Sequence, residues 1–504
     1  MTAKRFDVVV VGGGSAGAVM AARLSENGSR TVLLLEAGPA YQRQEYPDVF
    51  LDPERIGGDA EHDWGFLAAV GPAGPLGRQV AVPRGKVLGG SSAVNAAVAL
   101  RAVPSDFAAW AADGLTGWSF QEVLQAYRDL ESADSGDDRF HGRSGPLPIH
   151  QRTYAELTPS VRAFIDTAEQ QGYRFIDDPN ADQRSGVAAV PLNIRAGIRQ
   201  NSAIAYLTEN VRRRPNLTVL GGTRADKVLI GGGIATAVQT ADGIIYAAGQ
   251  IILSAGSYGS APILLRSGIG PARDLTGLGI KVVADLPVGQ RLQDQPVYHG
   301  LYALKPEAGA TSPAAGAFIR TASSQAQGGE LDFLISAAHL NDPGLSANGA
   351  IVLAVAVVRP ESRGRLRLRS ADPADAPVID LNLLAAPRDR SRMLEGLKLS
   401  RGIGLSKAFS AVSAQEIRPG EEVKDDADLR QALDEQIASF QHATSTVPMG
   451  GDNDEWAVVD GTGAVRGVPN LRVIDASILP AVPSVPTNLT VIMAAEHIYR
   501  NALA

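Results

Sequence analysis

The stretch from Val8 to Leu24, VVVVGGGSAGAVMAARL, decides how the rest of the chain is read. Val8 to Val11 is a continuous β-branched run, which suits a strand buried on both faces of a parallel sheet. Gly12, Gly14 and Gly17 follow in the spacing G-x-G-x-x-G. Glycine at these points permits a tight turn, close approach of backbone to a pyrophosphate, and close packing of helix on strand. Ser15 to Leu24 then reads as a helix whose N-terminus offers free N–H groups to phosphate. A second apolar run, Thr31 to Leu35, ends on Glu36, roughly 20 residues past the glycines, where a ribose hydroxyl would be held. An acid there disfavours a 2′-phosphate and hence NADP; FAD and NAD both stay open. A glycine turn with no nucleotide would leave the ordered strand, helix, second strand and acid unexplained.

At 504 residues the chain exceeds what one hydrophobic core organises, so two domains are expected. Its 45% hydrophobic and 20% charged residues describe an ordinary globular protein. The net charge of −7 comes with no basic block, so no nucleic-acid partner is expected. There is no cysteine, which excludes disulfides, thiolate nucleophiles and iron–sulfur clusters and fits a reducing compartment. No H-E-x-x-H and no histidine pair at ligand spacing occurs, so no metal is expected. The first strand begins near the N-terminus, leaving no room for a signal peptide. The longest apolar run, Ala350 to Val358, is far shorter than a membrane span of about 20 residues. A cytoplasmic location is expected; the sequence does not give the oligomeric state.

Further along, QIILS (250–254) is another apolar strand running into glycines. Ala225 to Ala247 alternates short β runs with glycines and predicts a small antiparallel excursion. LRVID (471–475) is a late strand, and Thr490 to Ala502 reads as a closing helix with Met, Ala and Ile on one face. Glu330 to Ala338 and Ala350 to Val358 are strand candidates. Gly364 to Ser370, GRLRLRS, alternates arginine with leucine as a half-exposed antiparallel strand does. The expected fold is α/β: a Rossmann-like parallel sheet interrupted by a second domain with an antiparallel sheet flanked by helices. The boundaries fall at 1–149, 198–299 and 438–504 for the first domain, and 150–197 and 300–437 for the second.

GKVLGGSSAVN (85–95) and GSYGSAPILLRSGIG (256–270) resemble the two signature stretches of the glucose–methanol–choline oxidoreductases. HDWGF (62–66), LPVGQRLQDQP (286–296), SRGRLRLRSADP (362–373), HATSTVPMG (442–450) and LRVIDASILPAVPSVPTNLTVIMAAEH (471–497) fit that family in order. The chain departs from the family's usual residues at Ala261, at Gln295 in Gln293-Asp294-Gln295, at Ala443, and across Val485-Pro486-Thr487-Asn488.

The resemblance implies FAD. It assigns the pyrophosphate to Gly12, Gly14, Ser15, Ala16 and Gly17, the adenosine ribose to Glu36, and Ala37 to the cofactor. It also assigns Trp64, Gly90, Ser91, Asn95, Ala96, Ala97, Val98, Ala225, Asp475, Ala476, Asn488 and Leu489 to the cofactor. Relatives that bind FAD covalently use a histidine where Val94 stands here, so FAD is expected to be non-covalent.

Oxidising an alcohol removes a hydroxyl proton and a hydride, and flavin N5 can take the hydride. The protein then needs a base, for which histidine is the natural choice. Of seven histidines, His442 matches the family's catalytic one. His62, His141, His150, His299, His339 and His497 read as structural. His497, after Glu496, reads as surface, and His62, near Trp64, is the second candidate. Asn488 matches the family's partner residue and offers the alcohol oxygen an amide; capping the closing helix is its plainer role.

The expected reaction is FAD-dependent oxidation of a primary alcohol, an aryl- or heteroaryl-methanol, to the aldehyde. The electron acceptor is oxygen or another oxidant. Choline or an aliphatic alcohol as substrate, a hydroxynitrile lyase that keeps FAD without net redox use, and a non-enzymatic flavoprotein are the alternatives.

Overall fold

A computed structural model of the chain describes residues 5–71, 77–181, 184–308, 311–340 and 348–504. The opening stretch folds as β1 (Arg5–Val11), α1 (Ser15–Leu24) and β2 (Val32–Leu35). β1 lies between β2 and the strand Ile245–Leu253 and is parallel to both. Leu217–Leu220 extends the sheet beyond β2, and Leu471–Val473 pairs with Ile245–Leu253, again in parallel. The valine run and its neighbours in β2 are buried, as a strand covered on both faces requires. α1 packs against the closing helix (Asn488–Ile498).

The predicted antiparallel excursion is a meander of Ala225–Gly231, Ile234–Thr240 and Ile245–Leu253. It belongs to the same sheet, which is therefore mixed.

A second sheet of seven strands is antiparallel throughout. Its main order is Ser413–Arg418, Pro296–Leu304, Ala350–Val357, Phe333–Leu340, Ala315–Thr321 and Gly186–Ala189. Ala438–Ser439 pairs onto the start of Pro296–Leu304. The helix Pro387–Gly404 lies tight on one face: a Cβ on Gly396 would come 2.8 Å from Val355 Cγ2. Tyr298 and Tyr302 share that face, with their hydroxyls on Gln436 and Glu416. Alternation along the strand puts Val297 and His299 on the opposite face.

Three readings are corrected. Only Arg365–Arg367 of GRLRLRS is a strand. It joins a separate four-stranded sheet with Val378–Asp380, Leu67–Val70 and Arg78–Ala81, not the large antiparallel one. The alternation itself holds, with Leu366 buried between two exposed arginines. His497 is buried and not at the surface. The closing helix is buried from Leu489 to Ile498, not on one face only. His497 Nε2 donates to Gly117 O at 2.8 Å, and Glu496 pairs with Arg23 at 2.8 Å. Those partners are what let two polar side chains enter the interior.

Candidate active site

The phosphate end is built from backbone. α1 starts at Gly14 with no side-chain cap, so its first N–H groups remain free for an anion. A Cβ on Gly17 would sit 1.8 Å from Gly12 O. A Cβ on Gly90, itself at φ +53°, would sit 2.7 Å from Gly14 Cα. The first glycine fingerprint and the GG pair thus meet backbone to backbone. Ser15 Oγ donates to Asn488 Oδ1 at 2.7 Å. Asn488 opens the closing helix after Thr487, which also supplies no side-chain cap. Two uncapped helix N-termini therefore converge on one place, as a diphosphate requires.

Glu36 is buried, and its oxygens accept the N–H groups of Gly13 and Gly38, each at 2.8 Å. Burial pushes its pKa up to about 7 against these bonds. A carboxylate has about four acceptor positions, so these backbone bonds leave room for a ribose hydroxyl. Ala37 is half-buried beside it.

Trp64 stacks on Phe66 with centroids 5.8 Å apart. Lys86 and Arg224 lie over its ring at 5.5 and 5.4 Å, next to Ala225. Both cations escaped the sequence reading. Asn95 Oδ1 accepts the N–H of Ala97 at 2.9 Å, and Ala97 holds the left-handed φ of 56° between half-buried Ala96 and Val98. Ser91 follows Gly90 in one 3₁₀ turn. Asp475 spends its carboxylate on protein: Oδ2 accepts Gly256 N–H at 2.8 Å and Ser260 O–H at 2.6 Å, while Oδ1 accepts Ser477 N–H at 2.8 Å. It clamps the second signature to the segment that leads through Ala476 to the closing helix, where Leu489 is buried beside Asn488.

The histidines separate by how their rings are bound. His62 engages Tyr41 Oη at 2.9 Å and Asp59 Oδ1 at 2.7 Å. His141 lies between Glu131 and Asp178, and His150 between Asp134 and Glu156. His339 contacts Ser160 and Pro313 O, and His497 contacts Gly117 O and Asn501. In each, both ring nitrogens are engaged. His299, in the second sheet, has neither ring nitrogen bonded among the described residues. His442 differs from all of these in being fixed at one nitrogen only. Its Nδ1 is bound to Gln295 Oε1 at 2.7 Å, and among the described residues its Nε2 has no partner.

The loop around His442 is held from several directions. Its backbone N–H donates to Asp294 Oδ1 at 2.9 Å. Ser257 of the second signature donates to Ala443 O at 2.7 Å and accepts through its own carbonyl from Thr446 at 2.8 Å. Gln441 and Ser445 take left-handed φ of 69° and 63°. Such backbone strain persists where surrounding bonds over-determine it. Arg84 Nη1 donates to Gln441 Oε1 at 2.6 Å, and its guanidinium lies 4.8 Å from the Tyr258 ring centre. Arg84 Nη2 and Tyr258 Oη are buried with no partner among the described residues. Burial and the Arg84 charge push the His442 pKa down to about 3. His442 nevertheless is only half-buried and keeps accessible surface.

Asn488 is brought to Ser15 and the phosphate loop. No hydrogen bond joins it to His442 among the described residues.

The GMC oxidoreductase models match residues 6–297 and 360–495. The chain belongs to the GMC oxidoreductase family. It is 34% identical to the oxygen-dependent choline dehydrogenase of Vibrio vulnificus (strain YJ016), over 98% of this chain and 93% of that one. It is 35% identical to the 5-(hydroxymethyl)furfural oxidase of Methylovorus sp. (strain MP688), over 99% and 98%. The crystal structure of pyridoxine 4-oxidase from Mesorbium loti superimposes with a TM-score of 0.89 at 32% identity, covering 99% of each chain.

This GMC oxidoreductase is an FAD enzyme acting on CH–OH groups. The uncapped helix ends, the glycine contact and Glu36 fit the cofactor. Among the described residues no helix is long and apolar enough to cross a membrane, and no cluster of three His, Cys, Asp or Glu side chains could hold a metal.

Gln295, Asp294 and Arg84 are the functional candidates that sequence reasoning missed. Gln295 had registered only as a departure from the family pattern. The signal lies in burial and not in sequence: a fully buried glutamine must have its amide bonded, and one of its partners is the His442 ring, 147 positions further along the chain.

Proposed function

We propose that this GMC oxidoreductase oxidises an aryl- or heteroaryl-methanol to its aldehyde, with His442 as the base. The observation that carries this is the His442 ring, fixed at Nδ1 and open at Nε2. FAD, once bound, supplies the hydride acceptor. Gly12, Gly14, Ser15, Ala16 and Gly17 hold its diphosphate, Glu36 its ribose, and the Gly90–Val98 stretch its remaining length. His442 Nε2 accepts the hydroxyl proton while its loop fixes the carbinol against the cofactor. The flavin-holding segments are 1–149, 198–299 and 438–504, and the substrate-holding ones 150–197 and 300–437. Oxygen or another oxidant closes the cycle.

Two features favour a neutral aromatic substrate over choline. Arg84 places a cation near the base, and the adjacent acid, Asp294, is spent on His442 N–H, Gln295 N–H and Ser439 O–H. A quaternary ammonium calls for a free carboxylate or an aromatic cage. Phe440 packs on His442 with centroids 4.7 Å apart and offers one apolar wall. Two of the relatives are named for alcohols on heteroaromatic rings.

Asn488 serves the cofactor more directly than the alcohol, because its acceptor is bound to Ser15. FAD is non-covalent: Val94 packs into the apolar cluster of Tyr46, Phe50 and Ile204 and carries no nucleophile. Denaturation by acid should therefore release the flavin, and flavin left on the precipitate would refute this.

The test of function is anaerobic bleaching of the bound flavin by 5-(hydroxymethyl)furfural, benzyl alcohol and choline in turn. Fast bleaching by the first two supports the reading. Bleaching by choline alone moves it to a choline dehydrogenase, and no bleaching by any alcohol returns the lyase or the non-enzymatic alternative. Reoxidation with and without oxygen identifies the acceptor.

A further inference from the structure

An amide can turn either its oxygen or its nitrogen toward a histidine, and the choice is settled by what binds its other end. Gln295 Nε2 donates to Pro483 O at 2.7 Å and to Val358 O at 3.1 Å. Carbonyl oxygens only accept, so the amide nitrogen must face them. Gln295 Oε1 is then the atom 2.7 Å from His442 Nδ1, and an amide oxygen cannot donate. Nδ1 must carry the proton. In the neutral ring Nε2 therefore carries a lone pair.

We propose that Gln295 is a positioning residue that fixes His442 in the tautomer with Nε2 unprotonated, and so makes that nitrogen the base. This rests on His442 being the base of the reaction. Gln295 suits the task because it is itself immobile. It is fully buried, and its backbone carbonyl accepts Phe440 N–H at 2.9 Å. Its amide hydrogens bind carbonyls on either side, which resists an amide flip.

The charge type matters as much as the direction. Asp294 is adjacent and could have served, but its oxygens are bound to the His442 and Gln295 N–H groups and to Ser439. An amide thus faces the ring in place of a carboxylate. A carboxylate would stabilise the imidazolium and raise its pKa. The amide sets the ring's direction without adding charge, so the base stays neutral into acid. When Nε2 takes the hydroxyl proton, the other N–H remains on Gln295 Oε1 and the ring does not turn.

The test uses the FAD-loaded enzyme and anaerobic flavin reduction by benzyl alcohol, followed from about pH 5 to pH 9. Gln295→Leu should slow reduction by about 10–100-fold, the usual cost of losing such a supporting partner, with the apparent affinity for the alcohol changed less than about threefold. Gln295→Glu should keep the acceptor but introduce an acid limb where the wild type is flat, shifted up by about one pH unit or more. A purely structural role does not move that limb. Gln295→Leu within about twofold of wild type, together with a flat Gln295→Glu profile, overturns the proposal. Should Gln295→Leu fail to retain FAD, the Gln295→Glu profile decides alone. His442→Ala separates the two readings. At wild-type rate it removes the base itself; slow, beside unaffected Gln295 variants, it removes only the positioning role.

Discussion

The two ends of the site are made of different material. At the phosphate end the contacts are backbone: Gly17 against Gly12, Gly90 against Gly14, and two uncapped helix starts. At the base end they are side chains from distant segments: Gln295 on His442, Ser257 on Ala443, Arg84 on Gln441. A backbone site imposes residue types at fixed short spacing, because only glycine fits, so it writes a local signature. A side-chain site imposes only that suitable groups arrive together in space. The first should fail abruptly when a Cβ is added. The second should fail in proportion to what each group contributes.

The largest effect should come from the base. His442→Ala is expected to slow flavin reduction by about 10²–10⁴-fold while FAD stays bound, since the ring touches no predicted phosphate ligand. Rapid-mixing rates normalised to bound flavin check it; an unimpaired variant sinks the base assignment. His62 is then no easy replacement, because both its nitrogens are engaged.

Next comes the phosphate loop. Gly17→Ala places a methyl 1.8 Å from Gly12 O, and that atom is backbone, so α1 must move off β1. The expected result is loss of FAD at purification and about 1–3 kcal/mol of destabilisation, the usual cost of overpacking. Retention of stoichiometric flavin would show that the close approach is not needed.

Much of this was legible in advance, and the gaps have physical reasons. The β1–α1–β2 unit was read because burial on both faces and the glycine spacing are local constraints. The period-two alternation of GRLRLRS showed a half-exposed antiparallel strand, but alternation names faces and not neighbours, so it did not say which sheet Arg365–Arg367 joins. His497 and Glu496 looked like a surface pair because polar residues normally stay in water. Their partners, Gly117 O and Arg23, lie 380 and 473 positions away along the chain and left no local trace. His442 was found through motif resemblance. Gln295 was visible only as a departure, since nothing near it in sequence says that its amide meets that ring.

The acid response sharpens the comparison from the side-chain end. His299 and His339 are both pushed down to about 4, chiefly by burial, and His442 to about 3. An unfolded histidine titrates near 6.5. Between that value and the native ones the unfolded chain binds more protons, so stability falls as pH drops from about 6.5 toward 4. The slope is at most about 1.4 kcal/mol per pH unit for each group. Glu36 works the other way: raised to about 7, it is protonated in the native state where the unfolded chain is ionised, and its contribution is lost as pH rises through 7. His141, which burial pushes down but Asp178 and Glu131 hold up at about 9, also opposes the trend, though only where the unfolded ring loses its proton near pH 6.5 to 7. The three lowered histidines act across the whole interval and outweigh these two, which predicts a lower thermal midpoint at pH 5 than at pH 7. An equal or higher midpoint at pH 5 would contradict the neutral buried rings.

The smallest effect belongs to Asn488, and it tests where the two ends divide. Its Oδ1 accepts from Ser15 Oγ beside the free N–H groups of α1. Removing it should free Ser15 and loosen the junction of the two helix starts. A hydrogen bond of this kind contributes about 0.5–1.5 kcal/mol net, which corresponds to roughly a 2–10-fold loss of FAD affinity. The rate of flavin reduction per bound flavin should fall much less than in His442→Ala, because the base and its Gln295 partner are untouched. Affinity is read by titrating apoprotein with FAD, and the rate by anaerobic mixing with saturating benzyl alcohol. If Asn488→Ala instead binds FAD normally and slows reduction by about 100-fold or more, Asn488 acts on the alcohol oxygen as an oxyanion donor would. The division between a cofactor end and a base end would then run through this residue and not beside it.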